Sequence, residues 1–405
     1  MLKQPYLKFD WFAGKKLHMG VCGSVAAYKT LELLRAWKSL GIGLTVTLTA
    51  AAKEFVTPLA YLSLGAEKVY GEMFGPDDIF AHLEPGRQVD GMVILPATAS
   101  TISRLAAGDA SEMLSAQALA CDKPKLIAPA MHPRMWANPA TQANLRLLKD
   151  YGFTAVEPAF GQTACGEEGQ GRLADVRDIC LAVLRLLGPR DLSGQSLLIT
   201  IGPTREFWDG VRFISNPSSG LMGAALAVAA WLRGAEVKAV CGPGVPWLPT
   251  YIERLNVESA QEMAVACRKL WPDCSLGCFA AAVCDFRPQE QGTEKLKKEQ
   301  LGEGTLLKLV GNPDIAATLG QLKSNRQSTI VFAAETSELK SNALKKLASK
   351  NADMVVANIV GKPGIGFESE TNQVSVIEKS GRITDMPVLG KADTAWKIWD
   401  VFLNR

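Results

Sequence analysis

Short apolar runs that alternate with helical patterns constrain the fold of this 405-residue chain more than any other feature. In the first half these patterns predict strands over 17–23, 44–49, 91–100 and 124–131, and helices over 24–40, 101–120 and 138–150. A strand followed by a helix, repeated several times, is typical of a parallel sheet with helices on both faces. The first half therefore predicts an α/β domain.

The alternation stops at LLGPRDLSGQ (186–195), where Gly, Pro and Ser follow an amphipathic helix. Beyond it the pattern predicts a helix over 219–233 and strands over 196–202, 236–240, 276–282, 329–334, 353–357, 373–379 and 382–388. The last two strands flank a Ser-Gly pair and are expected to form a hairpin. We therefore predict two α/β domains, 1–189 and 190–405, with the charged stretch 289–304 as a mobile loop.

Composition narrows the class of protein. A net charge of +3 argues against a bulk nucleic-acid or membrane-surface role. The nine cysteines form no CxxC pair and only three histidines exist, so no structural zinc site is predicted and no metal ligand can be assigned. The N-terminal stretch 1–16 does not resemble a signal peptide, and no apolar run reaches the roughly 18 residues of a membrane span. We expect a cytoplasmic protein.

Polar and small residues follow the predicted strands of the first domain. They are Gly23, Ser24, Thr49, Thr98, Ser100 and Thr101. Ligands of open α/β sheets bind beyond the carboxyl ends of the strands, so these loops could together hold a phosphate and an adjoining ring. Each hydroxyl alone is equally typical of an ordinary helix N-cap.

Five motifs of the first domain occur in a fixed order: GSVAAYK (23–29), IFAHLEP (79–85), PATASTI (96–102), PAMHPRMWANP (129–139) and ACGEEGQGR (164–172). With them, the stretch from 16 to about 188 resembles the phosphopantothenoylcysteine decarboxylases. The resemblance implies a flavodoxin-like fold that binds FMN, with active sites formed between the subunits of a trimer. It implies FMN contacts at Gly23, Ser24, Thr49, Pro96, Thr98, Ser100 and Thr101.

The same resemblance assigns roles to residues of the decarboxylase site. His82 would act as the base that assists oxidation of the substrate, and Cys165, in a flexible clamp, would donate the final proton. Met131, His132 and Arg172 would contact the substrate. The sequence departs from the commoner family pattern in two places, because His132 and Ser100 stand where asparagine is usual.

The second domain contains a loop of a different kind, ITIGPTREFWDGVRFISNPSSGLMG (199–223), whose hydroxyls and glycines suit a phosphate or a nucleotide. It is neither a Walker A loop nor a GxGxxG fingerprint. Four further motifs follow: AAAVCDFRP (280–288), EKLKK (294–298), NPDI (312–315) and FAAET (332–336), before KLASKNADMVVAN (346–358). From about 190 to 402 the chain resembles the bacterial, CTP-using phosphopantothenate–cysteine ligases, which implies a Rossmann-like α/β fold.

This second resemblance implies that CTP converts a carboxylate into an acyl-cytidylate, which cysteine then attacks. Asn216 would hold the acyl-cytidylate, and Lys295 would close over the site on a flexible loop. The implied CTP contacts are Asp285, Phe332, Lys346 and Lys350. Mg²⁺ would bridge the phosphates. Ile201 and Val331 replace smaller residues and are expected to narrow the nucleotide site.

Together the two domains resemble the bifunctional proteins of coenzyme A biosynthesis. The resemblance implies small-molecule substrates (phosphopantothenate, cysteine and CTP), no nucleic-acid or membrane partner, and 4'-phosphopantetheine as product. It also implies a homo-oligomer of trimeric FMN domains and dimeric ligase domains, which could combine as a dodecamer. The alternative is an FMN-binding regulatory flavoprotein with a degenerate decarboxylase site. A prenyl-flavin synthase would share the first fold but would not explain 164–172 or the second domain.

Overall fold

The computed structural model describes residues 4–73, 79–297, 305–335, 339–359 and 369–405, without the side chains of 334, 335, 339–341 and 359. The chain forms two compact units, one of residues 10–189 and one of residues 190–405 together with 4–9. The sequence had assigned residues 4–9 to the first domain. They belong to the second because Tyr6 and Phe9 are buried there, with Tyr6 Oη donating to Trp247 O (2.7 Å) and Phe9 lying 5.6 Å from Trp396 between ring centroids.

Six parallel strands form the sheet of the first unit. They are β1 (Lys16–Val21), β2 (Gly43–Leu48), β3 (Lys68–Tyr70), β4 (Gly91–Ala97), β5 (Lys125–Pro129) and β6 (Phe153–Ala155). Their order across the sheet is β3-β2-β1-β4-β5-β6. Without the short edge strand β3 this is the flavodoxin-like order, so the predicted fold is confirmed.

The helices of the first unit cover the sheet. They span Lys29–Lys38, Ala50–Lys53, Pro58–Ser63, Glu84–Gln88, Ala99–Ala107, Met113–Ala120, Pro133–Trp136, Pro139–Asp150 and Val176–Leu187. The single helix predicted over 101–120 is wrong, because Gly108 ends the first helix in the left-handed conformation (φ 68°) and the second begins at Met113. The helix predicted over 24–40 begins with a 3₁₀ turn, Val25–Tyr28.

A two-stranded hairpin, β7 (Ala159–Gln162) and β8 (Glu168–Arg172), lies outside the main sheet. The hairpin lies against the loop that follows β5, since Met131 N donates to Gly171 O (2.9 Å). A Cβ on Gly171 would lie only 2.4 Å from Met131 O, and one on Gly169 would lie 2.7 Å from Pro133 Cβ. These two glycines therefore permit the close approach of hairpin and loop.

The second unit is built around a mixed sheet of eight strands. They are β9 (Ser196–Ile201), β12 (Glu236–Cys241), β13 (Glu253–Asn256), β14 (Leu276–Phe279), β17 (Ser328–Glu335), β18 (Met354–Ile359), β20 (Val374–Glu378) and β21 (Ile383–Asp385). The order is β13-β12-β9-β14-β17-β18-β20-β21, and the first six strands are parallel. Those six have the Rossmann order, as predicted, and the predicted terminal hairpin is β20 and β21.

Smaller elements complete the second unit. Among the described residues of this unit, three strand pairs lie outside the large sheet: β10 (Arg205–Phe207) with β11 (Phe213–Ser215), β15 (Phe286–Pro288) with β16 (Leu309–Gly311), and β19 (Thr371–Asn372) with β22 (Leu389–Gly390). The helices span Leu221–Leu232, Ala260–Leu270, Ile315–Leu322, Leu339–Ser349 and Lys391–Leu403. Residues 289–297 of the charged stretch form neither helix nor strand, and 298–304 lie outside the described residues. Across the described ranges, no helix has the length and hydropathy needed to span a bilayer.

Candidate active sites

A cleft of about 470 Å³ lies at the carboxyl ends of four neighbouring strands of the first unit, β2, β1, β4 and β5. It spans the point where the strand order reverses between β1 and β4, which is where open α/β sheets bind their ligands. Its lining comprises Gly23, Ser24, Thr49, Ala51, Thr98, Ala99, Ser100, Thr101, Arg104, Glu112, Ala130, Met131 and Met135. The structure therefore brings together six of the seven predicted FMN contacts.

The hydroxyl groups in this cleft also begin helices. Ser24 Oγ accepts from Ala26 N (3.3 Å), Thr49 Oγ1 from Ala52 N (3.2 Å) and Thr98 Oγ1 from Thr101 N (3.4 Å). The N-cap and ligand-contact interpretations are thus compatible, since the same helix starts face the cleft. A Cβ on Gly23 would lie 2.5 Å from Ala51 Cβ, so glycine is needed where the first two loops meet.

The lining of the cleft differs from the predicted FMN contacts in two ways. Pro96 is buried within β4 and does not line the cleft. Arg104 and Glu112, which form an ion pair, line it without having been predicted. No motif marks these two residues, and only the break at Gly108 brings their helices side by side.

The predicted residues His82, Cys165, His132 and Arg172 do not line this cleft. His82 is half-buried in the turn before Glu84–Gln88, and Arg172 is exposed on β8. Cys165 is exposed in the turn between β7 and β8, where its Sγ lies 3.1 Å from Thr163 Oγ1. The Thr163 hydroxyl, with help from the backbone at Glu167, lowers the pKa of the Cys165 thiol below its usual value.

His132 is tied to the hairpin that carries Cys165. Its Nδ1 accepts from Arg134 N (3.2 Å), which caps the helix Pro133–Trp136. The Nδ1 acceptor role places the proton of a neutral imidazole on Nε2, which lies 3.3 Å from Glu167 Oε2 and can donate to it. Arg134 binds the other oxygen of the same carboxylate (3.2 Å). His132 therefore holds the hairpin, a contact that the sequence did not predict.

If the first unit catalyses the decarboxylation that the resemblance implies, we expect His132→Asn to keep its rate within about threefold of the wild-type value. Asparagine is a strong N-cap and can accept from Arg134 N, so the helix start is preserved, and a lost contact to half-exposed Glu167 costs little. The measurement is CO₂ release from phosphopantothenoylcysteine, the substrate that the resemblance implies, at saturating concentration. Complete loss of CO₂ release, with folding intact, would show that the imidazole takes part in the chemistry.

A buried polar network underlies the turn that carries His82. His18 is fully buried, with Nδ1 2.8 Å from Thr45 Oγ1 and Nε2 3.0 Å from Thr47 Oγ1. Thr47 Oγ1 donates to Gln117 Oε1 (2.6 Å), and Gln117 Nε2 donates to Ala81 O (2.9 Å). The network thus links the first two strands to the residue that precedes His82.

This network predicts that the first unit loses stability in acid. Burial lowers the pKa of His18 from 6.5 to about 4, although the hydrogen bond to Gln117 opposes this shift. Below pH 6.5 His18 is protonated in the unfolded chain, whereas in the folded chain it stays neutral down to about pH 4. The free energy of unfolding therefore has its full His18 contribution above pH 6.5, and it falls by about 3 kcal/mol as the pH drops to 4.

Hydrogen exchange of peptides from β1 in increasing urea, measured between pH 4 and 7, tests this prediction. The variant His18→Asn is the control, because it removes the titrating ring while keeping a polar side chain. We expect it to flatten the pH dependence of the opening free energy. An equal slope in both proteins would contradict the role of His18.

A second cleft, of about 450 Å³, lies at the carboxyl ends of β9, β14 and β17 in the second unit. Four of the predicted residues line it with Asn216: Asp285, Phe332, Lys346 and Lys350. Three helices present their N-termini to it, those that begin at Leu221, Ile315 and Lys391. Helix N-termini offer free N–H groups and partial positive charge, so the cleft suits an anionic ligand with several phosphates.

Two asparagines hold the segment 282–285 that forms one wall of this cleft. Asn216 Nδ2 donates to Ala282 O (3.2 Å) and Val283 O (3.1 Å). Asn312 Nδ2 donates to Cys284 O (2.9 Å) from the other side. Asn312 belongs to the NPDI motif, which was recognised in the sequence without a role for this residue. The amide of Asn216 therefore shapes the site as well as facing it.

Basic residues also line the second cleft. Lys350 Nζ lies 3.6 Å from Asp314 Oδ1, and Asp314 caps the helix that follows it. Lys391 also lines the cleft although its side chain is almost fully buried, and burial lowers its pKa. Lys391 was not predicted, because it starts a helix far along the chain from the other motifs.

Two sequence predictions, for Lys295 and Ile201, differ from this geometry. Lys295 is exposed and does not line the cleft. Val331 does line it, whereas Ile201 is buried beneath the cleft against Gly223, whose Cβ would lie 3.0 Å from Ile201 Cγ2. No cluster of three His, Cys, Asp or Glu suited to a metal occurs among the described residues.

Comparison with known proteins accounts for both units. The family described as Flavoprotein matches residues 12–188, and the DNA/pantothenate metabolism flavoprotein C-terminal domain matches residues 192–404. The chain is 40% identical over 375 residues to the coenzyme A biosynthesis bifunctional protein CoaBC of Vibrio parahaemolyticus serotype O3:K6, covering 92% of this chain and 94% of the relative. The Escherichia coli K12 protein of the same description is 39% identical over 373 residues, covering 91% and 92%.

A crystal structure of the C-terminal domain of CoaBC is similar to the second unit, with 36% identity and a TM-score of 0.45, covering 53% of this chain and 97% of that one. Two family matches and relatives aligned over more than nine-tenths of their length agree on one assignment. The chain therefore belongs to the family of bifunctional coenzyme A biosynthesis proteins, enzymes with a decarboxylase and a ligase activity.

Proposed function

We propose that this enzyme joins cysteine to phosphopantothenate with CTP at the second cleft and decarboxylates the product with FMN at the first, giving 4'-phosphopantetheine. The observation that carries the proposal is that the cleft described in each compact unit contains predicted site residues: six of the seven FMN contacts line the first cleft, and Asn216 lines the second with the four CTP contacts. The product of the second cleft is the substrate of the first.

The second cleft supports carboxylate activation. The carboxylate of phosphopantothenate would attack the α-phosphate of CTP, and pyrophosphate would leave. Helix N-termini and Lys346 and Lys350 would offset the charge of the phosphates. Mg²⁺ usually binds nucleotide phosphates with one or two carboxylates, and Asp285 in the cleft wall fits that role. The amine of cysteine would then displace CMP from the acyl-cytidylate held by Asn216.

The first cleft fits FMN in two respects. Three helices begin at it, and their N–H groups could bind the phosphate. Apolar residues such as Met131 also line it and could contact the flavin ring. When bound, FMN supplies hydride acceptance from the cysteine side chain and later hydride return. Loss of CO₂ from the oxidised substrate then gives an enethiol, because the electron pair of the broken C–C bond forms a C=C bond while the sulfur of the C=S group takes up the π electrons and a proton. His82 would take the thiol proton in the first step, and Cys165 would protonate the enethiol in the last.

The positions of His82 and Cys165 support a site completed by a second copy of the chain. Neither residue lines the cleft that its own chain forms. We therefore propose trimeric FMN units, combined with paired ligase units. Light scattering on the purified full-length chain should give a mass of at least three copies; a monomer that retains full decarboxylase activity would contradict this arrangement.

The cysteines support a reducing compartment such as the cytoplasm. All nine lie in the described ranges and none is paired in a disulfide, and eight of them are buried. No disulfide framework contributes to either unit.

The cofactor and the preferred nucleotide can be tested without measuring formation of the final product. The purified protein should show the visible absorbance of a bound flavin after incubation with FMN, and pyrophosphate release should require phosphopantothenate and prefer CTP over ATP. Absence of flavin binding would contradict the proposal for the first cleft. Equal rates with ATP would contradict the choice of nucleotide at the second.

A further inference from the structure

The turn between β10 and β11 binds the segment that carries Lys295. Its central residue, Asp209, is fully buried. Asp209 Oδ1 accepts from Val211 N (2.8 Å) and Arg212 N (2.7 Å), which forms the turn. Its Oδ2 accepts from Arg212 Nη1 (2.9 Å) and from Leu296 N (3.3 Å), the residue after Lys295. One carboxylate therefore joins the turn to the lysine segment.

Backbone contacts fix the other side of Lys295 to the same turn. Gly292 N donates to Trp208 O (2.9 Å), and Gly210 N donates to Glu294 O (3.4 Å). A Cβ on Gly210 would lie 2.3 Å from Thr293 O, so the two segments touch directly. The residues before and after Lys295 are thus both held by hydrogen bonds, while its own side chain is exposed.

The same hairpin leads directly to Asn216. Strand β11 ends at Ser215, and Asn216 follows it into the second cleft. The turn at one end of the hairpin holds the lysine segment, and the other end places the asparagine. A single short element therefore supports two residues to which the ligase reaction assigns roles.

We propose that Asp209 is a positioning residue that anchors the Lys295 segment and so sets the reach of the lysine into the ligase cleft. The proposal rests on the role of Lys295 in the proposed function. Asp209 itself does not line the second cleft. Burial raises the pKa of Asp209, but hydrogen bonds from the backbone of Arg212, Val211 and Leu296 more than offset this, so its pKa stays below the usual value and the acceptor oxygens remain charged.

The variant Asp209→Asn tests the contact with the lysine segment without disrupting the turn. The amide oxygen can still accept from Val211 N and Arg212 N, which preserves the turn. The amide nitrogen would then face Leu296 N and the Arg212 guanidinium, which are both donors, so the side-chain hydrogen bond to Leu296 N is lost while the backbone contacts of Trp208 and Gly210 remain. We expect the ligation kcat to fall about 10-fold to 100-fold, with the KM for CTP within about threefold of wild type.

Two further variants guard against a simple folding effect. Glu206→Gln changes another fully buried carboxylate, on β10 of the same hairpin, which accepts from Ala260 N (2.9 Å) rather than from the lysine segment. We expect it to leave the ligation kcat within about twofold of wild type. Leu296→Pro removes the N–H that Asp209 accepts without changing the turn, and we expect it to reproduce the kinetic defect of Asp209→Asn.

A double-mutant cycle of Asp209→Asn with Lys295→Ala, measured in the full-length protein, shows whether Asp209 acts through Lys295 or independently of it. If Asp209 acts through Lys295, Asp209→Asn adds nothing once the lysine is gone. The positioning role alone would be overturned by either of two results. In the first, Lys295→Ala lowers the ligation kcat but Asp209→Asn does not. In the second, both variants lower kcat and their effects multiply in the double variant. A Lys295→Ala enzyme with wild-type rate would overturn the proposed role of the lysine and the inference with it.

Discussion

Replacing Cys165 by serine is expected to leave CO₂ release intact while the yield of 4'-phosphopantetheine falls at least about 100-fold. The reason is that a serine hydroxyl is a much weaker acid than a thiol, and the thiol here is made more acidic by its contact with Thr163 (3.1 Å). The enethiol should accumulate. Mass spectrometry of the products beside a CO₂ assay measures both quantities in one reaction.

Thr163→Val is the matched control for Cys165. It removes the hydroxyl contact that lowers the thiol pKa, so the pKa of Cys165 should rise and the thiol should stay protonated to higher pH. The alkaline limb of the reduction step should therefore move to higher pH, with turnover retained. Normal 4'-phosphopantetheine output from Cys165→Ser would contradict the assignment of Cys165 as the proton donor.

Asn216→Asp is expected to slow amide formation about 100-fold to 1,000-fold while pyrophosphate release continues. Asn216 Nδ2 donates to two carbonyl oxygens of the cleft wall, at Ala282 and Val283. A carboxylate has no N–H to donate and repels those oxygens, so the wall moves at the point where the acyl-cytidylate must meet the amine. Nucleotide activation depends more on the phosphate-binding side of the cleft and should persist.

Acyl-cytidylate captured by acid quench, together with the ratio of pyrophosphate to amide, measures this uncoupling. The first unit of the same polypeptide is the internal control, because decarboxylation of supplied phosphopantothenoylcysteine should proceed at the wild-type rate. Parallel loss of pyrophosphate and amide would show that Asn216 acts in nucleotide binding instead.

The sequence was sufficient where local pattern determines geometry. Parallel strands end at one edge of a sheet, so Ser24, Thr49 and Thr98 could be placed together from their positions after three strands. The resemblance to the ligases, rather than strand geometry, predicted that Asn216 and Asp285 belong to one site, and both line the second cleft. The strand orders themselves were expected only from the resemblance of each domain to a known fold.

Contacts between distant segments could not be predicted in this way. His132 and Glu167 meet only because Gly169 and Gly171 let the hairpin approach the loop, and no spacing in the sequence encodes that approach. Likewise, Tyr6 finds its acceptor at Trp247, more than two hundred residues later. Lys391 enters the second cleft through the packing of a C-terminal helix, so no motif identifies it.

The central claim is that one chain performs both reactions in sequence. The most direct measurement incubates the full-length protein, loaded with FMN, with phosphopantothenate, cysteine, CTP and Mg²⁺, and follows CMP and CO₂ together. The account predicts CMP first, then CO₂ in equal final amount, with 4'-phosphopantetheine as product and no CO₂ when CTP is omitted. CMP without CO₂ would contradict decarboxylation by the first unit, and absence of both products would contradict the account as a whole.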